Sequence, residues 1–150
     1  MKLSISYKIM KHGWAKVCFC DGKTTINSAV SYFHDSLSDL AEMAISIQSG
    51  QLESTVIFLD EPGKLVFVVN ILDKKAHYEV RRFRNWSSRG SLDNTEDEVL
   101  LIGITTSKQI VQQITSVLLD IHQNIGPKRY RELWCMHYFP TQQYESLTKC

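Results

Sequence analysis

The chain has 150 residues, 43% of them hydrophobic and 22% charged, a composition ordinary for a globular domain. A chain of this length removes ~70% of its unfolded surface from water, so it folds around one core without a disulfide or metal staple. Its 17 Lys and Arg against 16 Asp and Glu give a net charge of +1. That excludes a molecule-wide field able to concentrate nucleic acid or an anionic membrane, and any electrostatic recognition must come from local patches.

Leu3, Ile5, Tyr7 and Ile9 alternate with Ser4, Ser6, Lys8 and Met10, a period of two that predicts a strand with one face against a core. This alternation is not the continuous apolar stretch of a signal peptide, and no run approaches the ~18 apolar residues of a membrane span. A cytoplasmic location is therefore expected, with Cys18, Cys20, Cys135 and Cys150 as thiols. His12 and Gly13 turn the chain into a second strand, Trp14 to Cys20. Asp21-Gly22 tolerates positive φ and suits a type I′ hairpin leading to a third strand through Thr24, Thr25 and Ile26. The first thirty residues thus read as a meander.

Ser36 and Asp39 have the spacing of a capping box, and Leu37, Leu40, Ala41, Ala44 and Ile45 follow at helical intervals up to Gly50. A helix is expected over about 36–49. Thr55 to Leu59 returns to β-rich residues, and Asp60-Glu61-Pro62-Gly63 predicts a type II turn with Pro62 and Gly63 at its centre. Leu65 to Val69 is apolar at every position, which predicts a central strand covered on both faces. Asp73-Lys74-Lys75 turns it into a further strand through Tyr78, Val80 and Phe83.

Residues 84–98 are polar with no apolar period, a long connection of the kind that either carries function or is disordered. Val99 to Ile104 reads as a last strand. Ser107 to Asn124 carries Ile110, Ile114, Val117, Leu118 and Ile121 on one stripe and predicts a second helix, stopped by Gly126-Pro127. The aromatic segment from Lys128 onward predicts a docked short helix with an ordered tail. The fold class is α+β: one domain over residues 1–150, a mostly antiparallel sheet of about six to seven strands in two meanders, two amphipathic helices on one face and a short C-terminal helix.

Cys18, Cys20, Cys135 and His137 form a Cys3His set, but Cys-x-Cys on a strand lacks the knuckle turn that C-x-x-C provides, so no metal is expected there. His12, His34, His77, His122 and His137 are scattered, and no phosphate-cradling loop, H-E-x-x-H or G-x-S-x-G is present. Neither catalytic residues nor a cofactor are expected. Arg81, Arg82, Arg84 and Arg89 lie among Phe83, Trp86 and His77, the mixture that single-stranded nucleic acid binders use, though the same arginines also suit a solvated strand edge. Asp93, Glu96, Asp97 and Glu98 follow as an acidic run. Such a two-sign surface, with Trp and Arg as anchors and charges at the rim, suits a protein partner.

Ser38-Asp39-Leu40-Ala41 running to Gly50, then Phe58-Leu59-Asp60-Glu61-Pro62-Gly63, and finally Tyr130-Arg131-Glu132-Leu133-Trp134 with Tyr138-Phe139-Pro140, make the chain similar to small bacterial immunity proteins. That class accompanies polymorphic toxins and contact-dependent growth inhibition systems. The resemblance implies a protein that binds the toxic C-terminal domain of a cognate toxin and inhibits it stoichiometrically, with no chemistry of its own. On this reading the partner contacts are Arg84, Trp86 and Arg89, with Asp93, Glu96, Asp97 and Glu98 opposing basic residues of a nuclease-like toxin. The alternative is a nucleic-acid binder using Arg81–Arg89 and Trp86, against which the near-neutral charge counts.

Overall fold

The computed structural model describes residues 3–60, 63–83, 97–134 and 137–148. Its elements in chain order are β1 (Ser4–Ile9), β2 (Trp14–Cys20), β3 (Thr25–Ser31), α1 (Ser36–Gln48), β4 (Glu53–Asp60), β5 (Gly63–Leu72), β6 (Lys75–Phe83), β7 (Asp97–Thr106), α2 (Ser107–Asn124), α3 (Pro127–Trp134) and α4 (Thr141–Thr148). The α+β class and both meanders are present, but the strands form two antiparallel sheets, β1-β2-β3 and β4-β5-β6-β7, in place of the expected single one. The break falls between β3 and β4. There the Asp39 carboxylate accepts the Ile57 N–H of β4 at 3.3 Å, a donor that is therefore not offered to β3. The Ser28 hydroxyl of β3 instead reaches Asp60 Oδ2 of β4 at 3.2 Å.

Both sheets turn their inner rows to one core. Ile5, Tyr7 and Ile9 of β1, Ala15, Val17 and Phe19 of β2, Leu65, Phe67 and Val69 of β5, and Ala76, Tyr78 and Val80 of β6 are buried in alternation, as a period of two requires. The Phe19 ring lies 5.7 Å from Phe58 and 5.0 Å from Phe67, so β2 packs directly against the other sheet. Each such ring contributes roughly 1.5–3 kcal/mol by leaving water.

The helices close this core. α1 begins one residue earlier in its capping than the sequence pattern implied. Asp35 is the cap and accepts the Ser38 N–H at 3.3 Å, while Ser36 is buried and shares a 2.7 Å hydrogen bond with the Tyr7 hydroxyl. A polar group that finds a tertiary partner does not serve as a cap. Gly50, at φ +94°, follows the helix as expected. α2 has the predicted bounds, is capped by Thr106, and buries Ile110, Ile114, Val117, Leu118 and Ile121. The C-terminal segment forms two helices, α3 and α4, where one was expected, and Tyr130 and Trp134 of α3 are fully buried.

Connections also depart from the simplest reading. Asp21 accepts the Lys23 and Thr24 N–H groups at 2.9 and 2.7 Å, which makes the β2–β3 link a longer side-chain-capped turn than a two-residue hairpin. Gly63 pairs with Asp60 as the first residue of β5 and so is not a central turn position; residues 61 and 62 lie outside the described residues. Asp73 and Lys74, at φ +52° and +66°, form the tight two-residue turn between β5 and β6. Gly103 is required by packing, since a Cβ there would lie 2.4 Å from the Tyr78 hydroxyl oxygen.

α2 also seals the free edge of β1. Gln109 accepts the Leu3 N–H at 3.3 Å and donates to the Leu3 carbonyl at 2.7 Å, and Gln113 accepts the Ile5 N–H at 3.0 Å. The match is geometric. Positions i and i+4 of a helix rise by about 6 Å, close to the ~6.7 Å between alternate residues of a strand. Removing the Gln109 amide strands a buried-edge N–H and carbonyl, so Gln109→Ala is expected to destabilise the fold by about 1–2 kcal/mol in chemical denaturation. Gln112→Ala, on the exposed side of the same helix, changes stability by less than about 0.5 kcal/mol.

Candidate partner-binding surface

β5 is not covered on both faces. Leu65, Phe67 and Val69 are buried, but Val66 and Val68 are half-buried on the opposite side, because the helices and the other sheet occupy only the inner face of the four-stranded sheet. Cross-strand register assembles the outer face row by row. One row runs Ile57, Val66, Arg81, Val99; the next runs Thr55, Val68, Glu79, Ile102; a third ends in Asn70, His77 and Ile104. Aliphatic columns therefore flank a charged centre. Arg81 forks both Nε and Nη2 onto Glu79 Oε1 at 2.7 Å, holding that centre in one geometry.

The apolar exposure rises toward β7, where Val99, Ile102 and Ile104 are 44%, 66% and 51% exposed. β7 is the terminal strand of its sheet, and among the described residues no strand pairs with it on the side away from β6. A register shift at Val80 and Arg81 re-aims its first residues. From Val99 to Thr106 the strand carries no charge. Natural proteins usually blunt such an edge with charge, proline or a covering element. Here β1 is covered by glutamines and β4 by Asp39, while among the described residues no such side chain covers β7, which bears three exposed β-branched side chains.

Of the residues expected to contact a partner, Arg84, Trp86, Arg89, Asp93 and Glu96 lie outside the described residues. Asp97 and Glu98 belong to the start of β7 and not to a loop, pairing with Phe83 and Arg82 of β6. Glu98 is exposed. Arg82 lies 3.5 Å from Asp60 Oδ2, and burial pushes the Asp60 carboxyl above the ordinary aspartate range against the opposing Ser28 hydrogen bond and Arg82 charge. This Ser28–Asp60–Arg82 group ties the rims of both sheets together. Lys64 stands 5.1 Å over the Phe83 ring at the same end. Sequence reading missed Val66, Val68, Ile102 and Ile104 as surface residues, since a run that is apolar at every position does not say which face is open. Their one available signal was that the last strand of a meander is an edge.

His137 and Cys20 have structural partners. His137 donates Nε2–H to the Tyr32 carbonyl at 2.7 Å, with Asp35 Oδ2 3.6 Å from Nδ1. Cys20 Sγ accepts from the Thr25 hydroxyl and the Gly22 N–H, which hold the thiol below the ordinary cysteine range, and Cys135 lies outside the described residues. Among the described residues no three His, Cys, Asp or Glu side chains are grouped to hold a metal ion. Burial pushes the Tyr7 and Tyr130 hydroxyls far above the ordinary tyrosine range, so both stay protonated in the core. No described helix is long and apolar enough to cross a membrane.

Compared with known proteins, the chain matches no family model, no curated protein and no solved structure. The surface must be read from its own geometry.

One electrostatic consequence is measurable in the free protein. His34 Nε2 lies 2.6 Å from Asp39 Oδ2, and that hydrogen bond holds the imidazole above the ordinary histidine range despite partial burial. A raised folded value means the contribution to stability is complete below about pH 6.5 and is lost as pH rises through the folded value. The melting temperature is expected to fall from about pH 5.5 to about pH 8.5, and His34→Gln to remove that part of the slope, roughly 0.5 kcal/mol after solvent screening. An unchanged slope in the variant would assign the pH dependence elsewhere.

Proposed function

We propose that the chain is an immunity protein, which binds the toxic domain of a cognate toxin through β7 and the adjoining outer face of the four-stranded sheet and inhibits it stoichiometrically. The observation that carries this reading is the position of β7 as terminal strand of its sheet among the described residues, bearing exposed Val99, Ile102 and Ile104 in a fold whose β1 and β4 edges are capped by side chains. A terminal strand with an uncharged stretch such as Val99–Thr106 offers main-chain hydrogen bonds for affinity and alternate side chains for specificity.

Such inhibition needs nanomolar or tighter binding, about 12 kcal/mol, over an interface on the order of 1,600 Å². Ile102 and Ile104 are the apolar anchors in this assignment, and the Arg81–Glu79 pair is a polar landmark between the aliphatic columns. Arg84, Trp86, Arg89, Asp93 and Glu96, which lie between Phe83 and Asp97 in the sequence, are proposed as further contacts. The acidic members, with Asp97 and Glu98, suit a toxin whose face is basic, as in a nuclease. The competing nucleic-acid reading has less support, because Arg81 is already forked onto Glu79 and Arg82 faces Asp60.

The test is co-expression with the C-terminal domain encoded directly upstream of this gene. A one-to-one complex that protects cells is expected, with affinity little changed between low and moderate salt. Ile102→Asp, at a side chain mostly in water but directly across from Glu79, is expected to cost about 1–2 kcal/mol of stability, leaving the chain folded, while weakening the complex at least ~100-fold. A domain that is neither bound nor neutralised would contradict the immunity reading; a complex indifferent to Ile102→Asp would contradict the surface.

A further inference from the structure

A second surface, on the three-stranded sheet, has the opposite character. Its outer face places Lys8 directly across from Lys16, in the register that pairs β1 with β2. Like charges in direct cross-strand opposition destabilise a sheet, and both residues are exposed. Lys8 also lines a cavity of about 580 Å³ with Ile9, Met10, Lys11, Trp14, Arg129 and Leu133. Its apolar part includes Met10 and Trp14, which are 45% and 42% exposed, and its cations are Lys8, Lys11 and Arg129.

This cavity has a rigid frame. His12 and Gly13 hold positive φ, and the Gly13 N–H donates to the Leu133 carbonyl at 2.8 Å, tying the β1–β2 turn to the end of α3. The Tyr32 N–H donates to the Gly13 carbonyl at 2.9 Å, and a Cβ at Gly13 would lie 2.4 Å from the Tyr32 ring, so the turn is fixed on two sides. Lys11 and Trp14 are thereby presented at set positions. The acidic groups nearby are Glu132, paired with Arg129 at 3.1 Å across one helical turn, and Asp120, which lines the neighbouring groove beside Lys8. The Arg129–Glu132 pair is more than half exposed on both sides and exchanges readily for another carboxylate.

We propose that this groove docks an acidic segment of a protein partner, an apolar side chain entering between Met10, Trp14 and Leu133 while flanking carboxylates meet Lys8, Lys11 and Arg129. Charge complementarity selects the sign, and an incoming carboxylate relieves the Lys8–Lys16 opposition. The mainly apolar lining favours a peptide over nucleic acid, since Ile9, Met10 and Leu133 offer aliphatic surface that a peptide side chain can bury, whereas a phosphate backbone needs a row of cations along its path. This site is independent of whatever pairs with β7.

The probe is the acetylated octapeptide Glu-Asp-Glu-Leu-Phe-Asp-Glu-Asp, titrated into the full chain and followed by the indole N–H resonance of Trp14, assigned by its loss in Trp14→Phe. A saturable shift is expected, weakened about ten-fold or more in the Lys8→Gln/Arg129→Gln variant and unchanged in Lys75→Gln. In the absence of peptide the Lys8→Gln/Arg129→Gln variant is expected to melt no lower than the parent chain, since Lys8→Gln removes the opposition to Lys16, which shows that it folds. Absence of a Trp14 shift, equal binding of a peptide with lysine at every acidic position, or tighter binding of an eight-nucleotide oligo(dT) or oligo(rU) would overturn the proposal.

Discussion

A strand at the margin of a sheet carries backbone donors and acceptors that must be met by something, and how this chain meets them shapes the rest of the molecule. Gln109 and Gln113 stand one helical turn apart on α2 and reach Leu3 and Ile5, two residues apart on β1. A pair of amides thereby acts as an extra strand. Asp39 of α1 does the same for a single N–H of β4. Because helices supply these partners, they are locked in register with the sheets and cannot slide without breaking hydrogen bonds as well as packing.

That arrangement produces two unlike exteriors. The inner rows of both sheets, with α1, α2 and the aromatic residues of α3, fill one core in which Tyr7, Phe19, Phe58, Phe67, Tyr130 and Trp134 are buried. The outer face of the four-stranded sheet is aliphatic and nearly neutral, centred on an internal Arg81–Glu79 pair. The outer face of the three-stranded sheet is basic around Lys8 and Lys16. A near-zero net charge thus conceals a local separation of character, and recognition through contact surfaces follows from that separation more naturally than from a global field.

Local order was largely legible in the amino-acid sequence. The bounds of β2 and α2, the turn at Asp73-Lys74 and the break at Gly126-Pro127 follow from period and from the backbone preferences of particular residues. What could not be read was tertiary. Ser36 has the identity of a cap but bonds to Tyr7, twenty-nine positions away in sequence, and Asp35 takes its place. The run from Leu65 to Val69 could equally be buried on both faces or one, and only the placement of the helices decides. At the division between the two sheets Asp39 reaches Ile57, eighteen positions away, a contact that local sequence pattern does not reveal. Among the candidate site residues, Glu98 was recognisable as surface, but the place of Asp97 and Glu98 within a strand was not, because strand length there is set by pairing with Phe83 and Arg82. The basic groove escaped notice since Lys8, Trp14 and Arg129 converge only after the β1–β2 turn is fastened to α3.

Partner binding as proposed depends on β7 being a strand edge open to a partner. Amide hydrogen exchange followed residue by residue tests this directly, in the isolated chain and in its complex with the toxic domain. In the isolated chain, the amides of Val99–Thr105 that face away from β6 are expected to exchange rapidly while those of Leu3 and Ile5, held by Gln109 and Gln113, exchange slowly. Complex formation is expected to slow the β7 set. Slow exchange of every β7 amide in the isolated chain, or a complex that leaves them fast, would contradict the claim.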